Sequence, residues 1–99
     1  MSEVYRFSFQ DGISSKEIEE QLYWAVFNTE SVYGKPTVRL DGAFLFDEKN
    51  RICVIDKATE VGRHIAQLFT SYLTSQFGEA AFKVERIEHS TESKDGQNG

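Results

Sequence analysis

The chain has 99 residues, a single cysteine and a formal net charge of −5. That length allows one domain, and one cysteine excludes an internal disulfide framework. The acidic balance argues against non-specific nucleic-acid binding and against anionic membrane surfaces, both of which draw on clustered Lys and Arg.

Apolar content is 39% and aromatic content 13%, with eight Phe, four Tyr and one Trp, enough for one core. Residues 88–99 read EHSTESKDGQNG, without an apolar side chain. This predicts a single domain over 1–87 followed by a disordered polar tail. Glu88, Glu92 and Asp95 against Lys94 put −2 in the tail and −3 in the domain. The start, MSEVYRF, lacks the basic-then-apolar pattern of a signal peptide. No apolar run approaches the roughly 20 residues that span a bilayer. A cytoplasmic protein is expected.

Val4 to Gln10 alternates, with Tyr5, Phe7 and Phe9 on one face and Arg6 and Ser8 on the other, predicting a half-buried strand. Asp11-Gly12 is a turn signal. Ser14 then caps a helix, with Glu17 as its capping-box partner and Ile13 and Ile18 at staple spacing. This helix is expected to run to Tyr33, stopped by Gly34 and kept from resuming by Pro36. Thr37 to Phe46 reads as a second strand, with Val38, Leu40, Phe44 and Phe46 sharing one parity and Gly42 marking a bulge or a close backbone approach. Asp47 to Asn50 is a polar turn, and Arg51 to Asp56 completes a hairpin. A second helix is expected over Glu60 to Phe77, capped by Thr59 or Asp56 and stopped by Gly78. Phe82 to Ile87 is the last strand, with Phe82 and Val84 inward.

The order β-α-β-β-α-β predicts an α+β domain of the ferredoxin-like, split-βαβ kind. Both helices would lie on one face of a four-stranded antiparallel sheet, with the first and third strands central.

At 100° steps around the first helix, Ile18, Leu22, Ala25, Val26, Thr29, Val32 and Tyr33 fill one arc of about 120° facing the sheet. Tyr23, Trp24 and Phe27 fall outside it, spaced three and four apart so that they touch. Lys16, Glu20 and Ser31 rim them. The second helix turns Arg63, Gln67, Thr70, Ser71 and Thr74 outward and has no aromatic surplus. A contiguous exposed apolar patch rich in Trp and Tyr marks a partner-binding surface, so Tyr23, Trp24, Phe27 and Glu20 are the candidate contact residues.

The third strand is apolar on both parities, Ile52 and Val54 against Cys53 and Ile55. Such a strand predicts cover on both faces. Cys53 and Ile55, with Ala43, Leu45 and Arg39, are the candidates for an interface on the open sheet face, as in a homodimer or a small-molecule site. RNA binding, the best-known use of this topology, needs a basic-Gly-aromatic pattern on the third strand that RICVID lacks.

Little else carries chemistry. His64 reads as a solvated residue in the first turn of the second helix, and His89 falls in the tail. Asp47 and Glu48 read as turn residues, Asp56 as a cap, and Cys53 as a small apolar-surrounded thiol in the core or an interface. No phosphate loop, metal cluster or cofactor motif is present in the sequence. The expectation is a non-enzymatic protein–protein interaction module without cofactor. The alternatives are a dimeric small-molecule-binding regulatory domain and an acidic inhibitor of a nucleic-acid-binding protein.

Overall fold

A computed structural model describes residues 3–88, so the polar segment from 89 onward, His89 included, lies outside the described residues. The order is β1 (Glu3–Phe9), α1 (Ser15–Tyr33), α2 (Lys35–Asp41), β2 (Phe44–Asp47), β3 (Ile52–Asp56), α3 (Glu60–Phe77), a 3-10 turn (Glu79–Ala81) and β4 (Phe82–Glu88). The architecture is α+β, an open four-stranded antiparallel sheet in the order β2-β3-β1-β4 with three helices.

The local signals act as their chemistry dictates. The Ser14 hydroxyl accepts the Glu17 amide at 3.1 Å and starts α1. Gly34, at φ 89°, ends it, and its amide returns to the Glu30 carbonyl. Thr59 caps α3 by accepting the Gly62 amide at 3.0 Å, while the Asp56 carboxylate accepts Ala58 N–H in the preceding turn.

Residues 37–41, expected in a strand, are helical. Pro36 does not block a helix here; it sits in the first turn of α2, where its missing N–H has no intrahelical partner to lose. The period-2 spacing of Val38 and Leu40 misled because only Val38 turns inward, while Leu40 is 84% exposed. Arg39 is exposed on α2 rather than on a sheet face. Gly42 closes α2 and approaches α3 so closely that a Cβ would lie 2.9 Å from Ile65 Cδ1. The close approach is therefore realised without a bulge.

α1 and α3 cover one side of the sheet. Phe7, Phe9, Cys53 and Ile55 from the strands meet Ile18, Leu22 and Ala25 of α1 and Ile65, Phe69 and Leu73 of α3. Phe7 and Phe69 touch at a ring separation of 4.9 Å. Of the expected α1 arc, Val32 is exposed. In β1–β4 the register runs from Phe9 opposite Phe82 to Glu3 opposite Glu88. Glu88, assigned above to the tail, is thus the last residue of β4, its carboxylate 2.9 Å from Lys57 Nζ. Arg51, at φ 57°, ties the β2–β3 turn to the β1–α1 loop by donating to the carbonyls of Gln10 and Ile13.

Candidate functional site

The α1 surface facing away from the sheet carries three aromatic rings that the core does not take up. Tyr23 is 59%, Trp24 53% and Phe27 58% exposed. Trp24 and Phe27 meet edge to face at 5.9 Å and 85°, a geometry that aromatic quadrupoles favour. The Tyr23 hydroxyl donates to Glu19 Oε2 at 3.2 Å, and the negative charge of Glu19 raises the phenol pKa above its ordinary value. The three rings line a shallow depression of about 290 Å³.

Trp24 does not collapse onto α3. On its other side a shallow groove runs between α1 and α3, lined by Gln21, Trp24, Asn28, Tyr72 and Gln76. Its floor is fixed by Asn28 Nδ2, which donates to the Tyr72 hydroxyl at 2.8 Å. The ring therefore stands as a wall between an apolar depression and a polar groove. Glu20 is exposed on the same helix one turn before Trp24. Along α1 the carboxylates of Glu17, Glu19, Glu20 and Glu30 outnumber the one cation, Lys16, so the surroundings of the rings are acidic.

The parity of β3 is the reverse of the one expected. Cys53 pairs with Phe46 and Phe7, and Ile55 with Phe44 and Tyr5, all facing the helices. Cys53 and Ile55 are fully buried in the core and so are not open-face residues. A strand apolar on both sides gives no parity signal, and a one-residue difference exchanges its faces. Ala43 is exposed but precedes β2, where its carbonyl accepts the Asp56 amide.

The row that does face outward is Leu45, Val54, Arg6 and Glu85. Leu45 is exposed there as expected, but Arg6 holds Glu85 through Nη2 at 2.8 Å and Nε at 3.1 Å. The next row is Asp47, Ile52, Ser8 and Lys83. Charged groups thus interrupt the apolar stripe.

The polar residues weighed for chemistry have structural partners. Asp47 accepts both the backbone and the side-chain amide of Asn50, bonds that hold its carboxyl below the ordinary range. Burial pushes the Cys53 thiol up to about 12. His64 is not a solvated surface residue. Its Nδ1 lies 2.9 Å from the hydroxyl of fully buried Thr29, and its ring meets Tyr33 edge-on at 5.4 Å. The flank of α3 that carries it is covered because α1 lies alongside. Among the described residues no group of three or more His, Cys, Asp and Glu is placed to hold a metal ion, and no helix is long and apolar enough to cross a membrane.

No family model matches the chain, and no curated protein or solved structure gives a match either.

Proposed function

We propose that the chain is a non-enzymatic protein interaction module, cytoplasmic in setting, that binds its partner through Tyr23, Trp24 and Phe27 of α1, with Glu20 at the rim. We read its scaffold as a ferredoxin-like βαββαβ sheet with α2 inserted before the second strand. The observation that carries the functional reading is the exposure of three aromatic rings that line one depression on one helix, two of them in edge-to-face contact. Aromatic anchors of this kind dominate interface energies. The acidic surroundings select the partner's chemistry: an apolar knob flanked by Lys or Arg, which opposite charge steers and orients.

The test compares proteins captured from host extract by the native chain and by a Trp24→Ala/Phe27→Ala variant. The expected result is loss of the specifically captured protein while the variant still unfolds cooperatively, at a modestly lowered melting temperature. Capture of the same protein by both chains removes the patch from the account. Raised salt should slow association, because the rim charges are screened.

A further inference from the structure

The sheet has two edges, and they are not alike. β2 exposes four residues, whereas β4 exposes seven. Short edge strands are poor templates for further pairing and long ones are good templates.

The backbone phase of β4 follows from two bonds. Gln10 N–H donates to Ala81 O, and Lys57 N–H donates to Glu3 O. Antiparallel pairing alternates, so Lys83, Glu85 and Ile87 direct their amides and carbonyls at β1, while those of Phe82, Val84 and Arg86 point to the outer edge. Among the described residues no strand pairs with that edge. α3 does not overhang it either, since a cleft of about 550 Å³ separates the two, lined by residues including Phe7, Ala66, Thr70 and Val84. Val84 is 41% exposed within it.

We infer that β4 pairs antiparallel with β4 of a second copy, about a two-fold axis at Val84, to give a continuous eight-stranded sheet. In this register Val84 lies opposite Val84 of the second copy, and Phe82 opposite its Arg86. These are the residues whose backbone groups face outward, so every hydrogen-bonding pair is correctly phased. Lys83 then falls opposite Glu85 of the second copy, twice by symmetry, in the non-hydrogen-bonded positions where side chains approach most closely. Glu85 lies between Arg6 of its own chain and Lys83 of the other.

Sliding the axis destroys the match. Centred on Lys83 it opposes two lysines, on Glu85 two glutamates, and on Arg86 two arginines. The charges that normally discourage edge pairing thus favour the Val84-centred register over those centred on Lys83, Glu85 or Arg86. An isologous contact of this kind closes as a dimer. One strand edge is smaller than the roughly 800 Å² per partner of a standard interface, so the dimer is weak and concentration-dependent.

Light scattering over a concentration series should show the mass rising from 11.3 kDa toward twice that value. Lys83→Glu and Glu85→Lys should each weaken dimerisation by about tenfold or more, since each opposes like charges at two symmetric positions. An equimolar mixture of the two variants should recover dimers, because both cross-strand pairs are then attractive. Hydrogen exchange gives a readout on the native chain: the amides of Phe82, Val84 and Arg86 should gain protection as concentration rises. Trp24→Ala should dimerise as the native chain does, which separates this inference from the α1 reading. A native chain at monomer mass throughout overturns the inference, as do single charge variants that dimerise normally or edge amides whose exchange ignores concentration.

Discussion

The hydroxyl of Thr29 on α1 and Nδ1 of His64 on α3 lie 2.9 Å apart, joining the two helices through a polar contact at the edge of the core. Thr29 donates its one hydroxyl proton to the Ala25 carbonyl at 2.8 Å, so it accepts from His64, and Nδ1 carries the hydrogen. Neutral His64 is therefore the Nδ1–H tautomer, with its other ring nitrogen an acceptor. Thr29→Val keeps the shape and removes the acceptor. It should lower stability by about 0.5–1.5 kcal/mol, the usual net worth of one hydrogen bond, as measured by urea unfolding, and nitrogen NMR should show the tautomer preference relax.

Gly62 gives a test in which two physical effects have opposite signs. Within a helix, Ala is favoured over Gly by about 1 kcal/mol. At this site, however, a Cβ would lie 2.0 Å from the Asp56 carbonyl oxygen, a backbone atom that cannot swing aside. Gly62→Ala should therefore destabilise the domain at or beyond the upper end of the ~1–3 kcal/mol typical of overpacking. A melting temperature equal to or above that of the native chain would show that β3 and α3 can separate without cost.

How much of this was legible in the sequence depends on how local each signal is. β1, α1 and α3 announce themselves through alternation, the Ser14 and Thr59 caps and the glycine stops, which act within a few residues. The exposure of Tyr23, Trp24 and Phe27 was also legible, because helix phase alone places them. α2 was not, since seven residues carry too few apolar positions to separate a period of 2 from one of 3.6. Nor was the facing of Cys53 and Ile55, which only the pairing of β3 with β1 decides. The His64–Thr29 contact joins residues 35 positions apart, and nothing near either one in the chain encodes it.

The aromatic surface and the aromatic core should respond differently to truncation. Trp24→Ala removes an exposed ring whose edge-to-face contact with Phe27 is worth at most ~1.5 kcal/mol. Phe69→Ala empties a fully buried site against Phe7 and Phe9 and should cost about 3–5 kcal/mol. Denaturant midpoints of the two variants measured side by side decide the matter. Equal losses would make Trp24 part of the core.

Acid should weaken the fold through two identified carboxyls. Hydrogen bonds from Asn50 lower the pKa of Asp47 from 3.8, and the Lys57 ammonium lowers that of Glu88 from 4.5, first by hydrogen bonding and then by charge. Folding depresses both values, so the stability they contribute is present above the ordinary carboxylate range and is lost as pH falls through the folded values. Glu88→Gln should flatten the acid limb of a plot of unfolding midpoint against pH. An unchanged limb would place the acid sensitivity elsewhere.

Cys53 should be inert in the native state. With the thiol pushed up to about 12 by burial, the thiolate that thiol reagents require is scarce at neutral pH. Labelling should proceed only through opening of the domain, and its rate should climb with urea along the unfolding curve. Rapid labelling in native buffer would reveal a local opening between β3 and the helices.

The register that sets Glu3 opposite Glu88 makes the domain nearly circular: the first and last described residues are neighbours on adjoining strands. A short linker could join them, and the chain could be reopened within the exposed Asp47–Arg51 turn at the expense of the Asn50–Asp47 bonds alone or with the Arg51–Glu48 bond. The same geometry would let this domain be carried as an insertion within a host protein's surface loop, entering and leaving through almost the same point.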